Sequence, residues 1–214
     1  VGISNNSFNL VVVYFRIVMS FVKEVSSWIL QGINGIIHDT SDEHIEEMIR
    51  HILRAKGKKI LVLGSGRSGF VGRAFALRLM QSGFNVYVSG ETITPALSPG
   101  DLVLAISGSG TTKVVVTQTE IAKEMGANII SLTSHRDSRL GQLSDHVVVI
   151  KGRTKEEVDI DCVRRQITGE YDMAPLGTMF ELSALVFLDG VIADIMRRLG
   201  QNEIDLRRRH SHTQ

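Results

Sequence analysis

Leu102-Val103-Leu104-Ala105-Ile106-Ser107-Gly108-Ser109-Gly110-Thr111-Thr112 joins an apolar run to a turn made of glycines and hydroxyls. The run reads as a strand buried on both faces, and the turn opens a helical pattern that continues to Met125. Exposed backbone N–H groups, several hydroxyl donors and a helix N-terminus together make a socket for a dianion. The turn contains no general base and no metal ligand. Such a socket suits a phosphorylated small molecule held by neutral donors. Ser and Thr also favour tight turns and caps for purely structural reasons, so the turn taken alone leaves both readings open.

Outward from this turn, apolar runs alternate with helical patterns. Lys59–Leu63, Asn85–Val88, Leu102–Ile106, Asn128–Leu132 and His146–Ile150 read as five strands. Helices over about Arg67–Gln81, Thr111–Met125 and Ser138–Leu143 separate them. This alternation predicts an α/β fold with a parallel sheet covered by helices on both faces. Before the first strand, Val22, Val25, Ile29, Ile33, Ile36 and Ile37 recur at helical spacing. Thr40-Ser41-Asp42-Glu43 then supplies cap residues for a second helix through Leu53, with Gly57 as its stop. Lys151–Asp172 is a charged polar loop, and a long helix from Pro175 to Leu199 closes the pattern. Apolar residues cover more than one face of that helix, which predicts packing on a partner as well as on its own sheet.

Composition narrows the classes. With 214 residues and 43% apolar content the chain is long enough for one domain with a substantial core. A formal net charge of +1 creates no field that would gather nucleic acid or anionic membrane, so neither is expected as a partner. The lone Cys162 excludes an internal disulfide and a four-cysteine zinc site, and it fits a reducing cytoplasm. The stretch from Phe8 to Val22 is mostly apolar but is broken by Asn9 and Arg16 and is too short to span a bilayer. Val1 as first residue implies an alternative start codon or an over-extended reading frame, with Met19 as a start. Residues 1–18 are therefore expected to be a non-essential extension, with the domain running over 19–214.

A second glycine-rich turn competes for the functional reading. Gly64-Ser65-Gly66-Arg67-Ser68-Gly69 follows the first strand and matches the dinucleotide fingerprint G-x-G-x-x-G. Glu91 stands after the second strand, where an acidic residue holds a ribose hydroxyl in such folds. A dinucleotide site, however, has no need of a second anion socket after the third strand. Two small-residue turns side by side, near the point where strand order reverses, suit a compact sugar phosphate better.

The order GSGRSG, SGETITPAL, AISGSGTT and SLTSH resembles the sugar isomerase (SIS) domain family. APLGTMFELSALVFLD and the terminal RRRH are similar to the 6-phospho-3-hexuloisomerase branch of that family. The resemblance spans roughly Lys23 to His210 and departs at Thr111, where relatives often carry an acidic residue. It implies a single SIS domain, a flavodoxin-like doubly wound sheet, and interconversion of 3-hexulose 6-phosphate with fructose 6-phosphate. It further implies that Ser107, Ser109 and Thr112 bind phosphate, that Gly108 and Gly110 give backbone access, and that Gly66, Arg67 and Ser68 lie across from them near the sugar. Arg67 reads equally well as a surface residue opening a helix.

Moving a carbonyl between C2 and C3 needs a proton taken from one carbon and returned to the next through an enediol. One carboxylate can serve both steps, with a donor for the oxyanion, and neither metal nor redox cofactor is required. Glu181, among Gly177-Thr178-Met179-Phe180 and Leu182, meets the first need, because apolar surroundings would raise its pKa towards that of a useful base. A carboxylate facing water at a helix start is the competing reading. Asp189 and Asp194 have weaker claims. His210, closing Arg207-Arg208-Arg209, is the resemblance's candidate for the acid or for ring opening, in its own or a neighbouring subunit. A solvated basic tail is the alternative. His51 and His135 are further candidates. The expected assembly is a homo-oligomer, dimer or tetramer, with sites at subunit interfaces. A sugar-phosphate sensor without catalysis is the rival function; no basic DNA-reading helical module precedes Lys59 to favour it.

Overall fold

The computed structural model describes residues 20–152 and 174–209. Helices α1 (Phe21–His38) and α2 (Asp42–Arg54) precede strand β1 (Lys59–Gly64). Helix α3 (Gly66–Gln81) leads to β2 (Asn85–Val88), and β3 (Leu102–Ile106) leads through α4 (Lys113–Glu124) to β4 (Asn128–Thr133). Then come α5 (Arg139–Leu143), β5 (His146–Val149), the long α6 (Thr178–Arg198) and the short α7 (Glu203–Arg209). Each strand comes within a residue or so of the span its apolar run predicts.

All strand pairs are parallel and the order is β2-β1-β3-β4-β5. This is the flavodoxin-like doubly wound arrangement, whose order reverses between β1 and β3. The strands are apolar on both sides because both sides are covered. Ile60, Val62, Leu104, Ile106, Ile130 and Leu132 face a core shared with α2, α3 and α6. Leu63, Val103, Ala105 and Ile129 face a smaller core with Val115 and Ala122 of α4 and Leu140 of α5. The two helices that follow the glycine-rich turns therefore lie on opposite faces. At the other end of the sheet, buried Asp101 accepts the N–H groups of Lys59 (3.0 Å) and Ser98 (2.7 Å) and pairs with the Lys59 ammonium (3.2 Å). Burial alone would raise the Asp101 pKa, but these three donors outweigh it and hold the carboxyl below its usual value.

Two boundaries and one cap correct the expectations. The long helix begins at Thr178 rather than Pro175, because Gly177 adopts a left-handed φ of 86° that no helix can continue through. Pro175 instead accepts the N–H of Thr178 (3.1 Å) in the preceding turn. Helix α4 begins at Lys113 rather than Thr111, since Thr112 has a non-helical ψ of 108°. Ser41 does stand at the N-cap of α2, but its side chain makes no capping bond; Asp42 and Glu43 complement the helix dipole there. Part of the broad apolar surface of α6 is covered within the chain, for Gly32 of α1 admits the Met179 methyl where a side chain would collide. The expected extension 1–18, Cys162 and His210 lie outside the described residues.

Candidate active site

Gly64 pairs with Ile106 at the ends of β1 and β3, so the turns over 65–69 and 107–112 leave the sheet side by side. Open α/β sheets bind ligands at such a reversal. The second turn is pinned from within. Ser107 is 3% exposed, its Oγ accepts the Gly110 N–H (3.2 Å), and it pairs with Thr112 Oγ1 (2.9 Å). Ser109 Oγ accepts from the Thr111 N–H (3.2 Å) and from Thr111 Oγ1 (3.0 Å). The Gly108 carbonyl takes the Ser134 N–H (2.9 Å) and Thr133 Oγ1 (3.1 Å). Ser109 and Thr112 are half-buried, whereas Ser107 is buried and is a strut of the turn.

Across from this turn, Arg67 Nε in the first turn of α3 donates to Glu181 Oε2 in the first turn of α6. The Glu181 side chain is 14% exposed and that of Arg67 60%, so the pair closes one wall of a groove yet remains reachable. The groove holds about 240 Å³ between α3 and α6, with Phe70, Val71, Ala74, Leu182 and Leu185 forming its apolar remainder. The Gly177 turn sets the Glu181 carboxylate: a methyl on Gly177 would stand 3.2 Å from Oε1. Phe180 links the halves, its ring lying against Gly108. The arrangement joins hydroxyl and N–H donors for an anion with a carboxylate able to take a proton and a guanidinium able to stabilise negative charge.

A model of the SIS domain matches residues 52–160. The chain belongs to the SIS domain family. A protein of Aeropyrum pernix is 48% identical to this SIS domain over 92% of both chains. The 3-hexulose-6-phosphate isomerase of Methanocaldococcus jannaschii is 40% identical over 80% of this chain and 86% of its own. A Methanococcus jannaschii crystal structure, described as inferring a molecular function of 3-hexulose-6-phosphate isomerase, has 35% identity and a TM-score of 0.71. It covers 87% of this chain and 97% of its own.

The SIS domain brings together most of the residues singled out in the sequence. Gly66, Arg67 and Ser68 open α3 beside the hydroxyl turn, and Glu181 reaches Arg67 from α6. Gly110 corrects one expectation. Its N–H is held by Ser107 and its carbonyl accepts the Leu140 N–H (3.0 Å), so it shapes the turn instead of offering backbone access. Glu181 also differs from the expected apolar enclosure, since a guanidinium is its immediate neighbour. Glu91 is paired with Arg73 on α3, which occupies the carboxylate that a ribose would need. His51 lies away from the site, bridged to Glu47 (3.3 Å) and stacked on His146. Asp194 binds Arg197 and Arg198, whose guanidinium also clasps Glu46 of α2. Asp189 is exposed on the same helix. His135, half-buried beyond β4, donates its N–H to Thr133 Oγ1 (3.3 Å). No helix of the described residues is long and apolar enough to cross a membrane, and no group of three acidic, His or Cys residues among them could hold a metal. The pairing of Arg67 with Glu181, 114 positions apart, and the wedge made by Phe180 carry no local sequence signal.

Proposed function

We propose that this chain is a sugar-phosphate isomerase that interconverts 3-hexulose 6-phosphate and fructose 6-phosphate through an enediol. The observation that carries the reading is the Arg67–Glu181 pair in the wall of a groove, with Arg67 in the glycine-rich turn that leaves the sheet beside the hydroxyl-rich one. Ser109 and Thr112, with the Gly108 backbone, anchor the phosphate on C6, and Ser107 holds that turn in shape. Gly66 and Ser68 border the sugar. Glu181 takes the proton from C3 of the open-chain ketose while the C2 oxygen gains one, giving the 2,3-enediol. The same carboxylate then protonates C2, and loss of the O3 proton leaves the carbonyl at C3. Arg67 stabilises the oxyanion as charge develops and steers the carboxylate. No cofactor is needed for this proton traffic.

His210 is proposed as the acid that assists ring opening, supplied by a neighbouring copy of a homo-oligomer. The preceding residue supports that arrangement. Arg209 donates to the Gln81 carbonyl (3.0 Å) at the far end of α3 from Arg67, and sixteen helical residues span about 24 Å. The lone Cys162 supports a cytoplasmic setting.

The test is to incubate the protein with fructose 6-phosphate in deuterated water and follow the carbon-bound hydrogens by NMR. Exchange at C3 with appearance of the 3-ketose is expected. Glu181→Gln should lower that rate by about 10²–10⁴-fold with an unchanged circular-dichroism spectrum. Absence of exchange in the wild type, or a wild-type rate in the variant, overturns the reading.

A further inference from the structure

Phe180 sits between the two halves of the site without belonging to either. Its side chain is 2% exposed and it stands in the first turn of α6, one residue before Glu181. On one side its ring rests on Gly108: a methyl there would lie 3.0 Å from Cδ1 and 3.1 Å from Cγ. On the other, its backbone rests on Gly152, beyond β5, where a methyl would lie 2.7 Å from its N, Cα and Cβ. Two positions without a Cβ thus form the slot that receives this residue. The Gly108 side cannot retreat, because its carbonyl is held by Ser134 and Thr133. The Glu181 side is fixed as well, its N–H bonded to the Gly177 carbonyl (3.0 Å).

We infer that Phe180 is a positioning residue. As a spacer of fixed thickness it sets the distance from the phosphate-holding turn to the Glu181 carboxylate, and so selects which carbon loses its proton. The inference rests on the isomerase reading above. In open-chain fructose 6-phosphate the carbonyl at C2 acidifies the hydrogens on C1 and C3 alike. Their reactivity is similar, but their distance from the C6 phosphate is not. A base held at one distance from the anchor takes the C3 proton; a base that moves relative to the anchor loses that selection. Misplacement by about 1 Å is enough to cost roughly a hundredfold in rate.

The experiment compares wild type, Phe180→Leu, Gly108→Ala and the double variant. It measures turnover, binding of fructose 6-phosphate by calorimetry, and the division of deuterium between C1 and C3. Phe180→Leu should lower turnover by roughly tenfold or more, with the dissociation constant within about threefold of wild type and a larger C1 share of the label. Gly108→Ala, which pushes against the ring, should lower turnover too. In the double variant the smaller side chain makes room for the new methyl, so turnover should exceed that of either single variant. Where Phe180→Leu does not fold, Phe180→Met carries the same readouts. Parallel losses of turnover and binding, with an unchanged label position and no recovery in the double variant, overturn the spacer role. So do wild-type rates in the Phe180 variants of a protein that Glu181→Gln inactivates, an outcome that leaves the isomerase reading standing. Absence of exchange in the wild type overturns both.

Discussion

Gly110 shows how far a single residue controls the turn proposed to hold the phosphate. Its φ of 67° is costly for any side chain, about 1–2 kcal/mol for the backbone alone. A methyl there would also run into Ser138 Oγ. Gly110→Ala should therefore displace the Ser107–Thr112 turn, lowering the melting temperature and, on the proposed function, abolishing the stabilisation expected from fructose 6-phosphate in wild type. A variant with wild-type melting and ligand response would contradict this account of the turn. At this scale the sequence made the composition of the turn legible, hydroxyls and glycines between a strand and a helix, and it singled out Glu181 among apolar neighbours. The partition of tasks was not readable. Which backbone N–H each hydroxyl accepts, that of Thr111 for Ser109 and that of Gly110 for Ser107, depends on turn dihedrals that composition does not encode. Arg67 likewise read two ways, near the sugar or on the surface, and neither reading pointed to its partner Glu181 on α6.

Among the elements, strands were legible because each is built on an apolar run, and helix starts were less so because glycine and threonine dihedrals override propensity at Gly177 and Thr112. The contact of α2 with β5 shows what element packing adds. His146 opens β5, its Nε2–H donates to the His44 carbonyl (2.9 Å), and its ring meets those of His44 (5.3 Å) and His51 (6.0 Å). Glu47 faces His51, and Arg136 Nη2 donates to His44 Nε2 (2.8 Å). Burial, reinforced by the two neighbouring imidazoles, holds the His146 pKa below its ordinary value of 6.5, against the opposing pull of its hydrogen bond to His44 and of Glu47. The unfolded chain then binds this proton more readily than the folded one. The stabilising effect is complete above about pH 6.5 and is lost as pH falls below it, by at most about 1.4 kcal/mol per pH unit for one proton. His146→Gln should accordingly show a shallower loss of melting temperature between pH 7 and 5 than wild type. Identical slopes would mean that the cluster does not govern the acid limb.

At the scale of the whole molecule, the alternation of strands and helices made the parallel sheet legible, while its flavodoxin-like order followed from the resemblance and not from the alternation. That order matters, because β1 beside β3 is what sets the two turns together and lays α3 and α6 on one face. Contacts made across 114 positions, such as Arg67 with Glu181, exist only once that layering is in place. The same layering carries α7 towards the opposite end of α3, where Arg209 meets Gln81. If His210 serves the chemistry from a neighbouring copy, the assembly should exceed one 23.6 kDa chain by light scattering, and two inactive variants should repair one another. Glu181→Gln and His210→Ala, co-expressed with different affinity tags, test this directly. In a mixed dimer with reciprocal sites, one site combines both lesions and the other keeps an intact Glu181 and an intact His210. An equal mixture of subunits should then regain roughly a quarter of wild-type turnover, since half the dimers are mixed and half their sites are whole. Were each His210 to serve its own chain, every site in the mixture would carry one lesion. Activity would then stay at the level of the separate variants, which would return His210 to the solvated tail that a terminal basic run ordinarily forms.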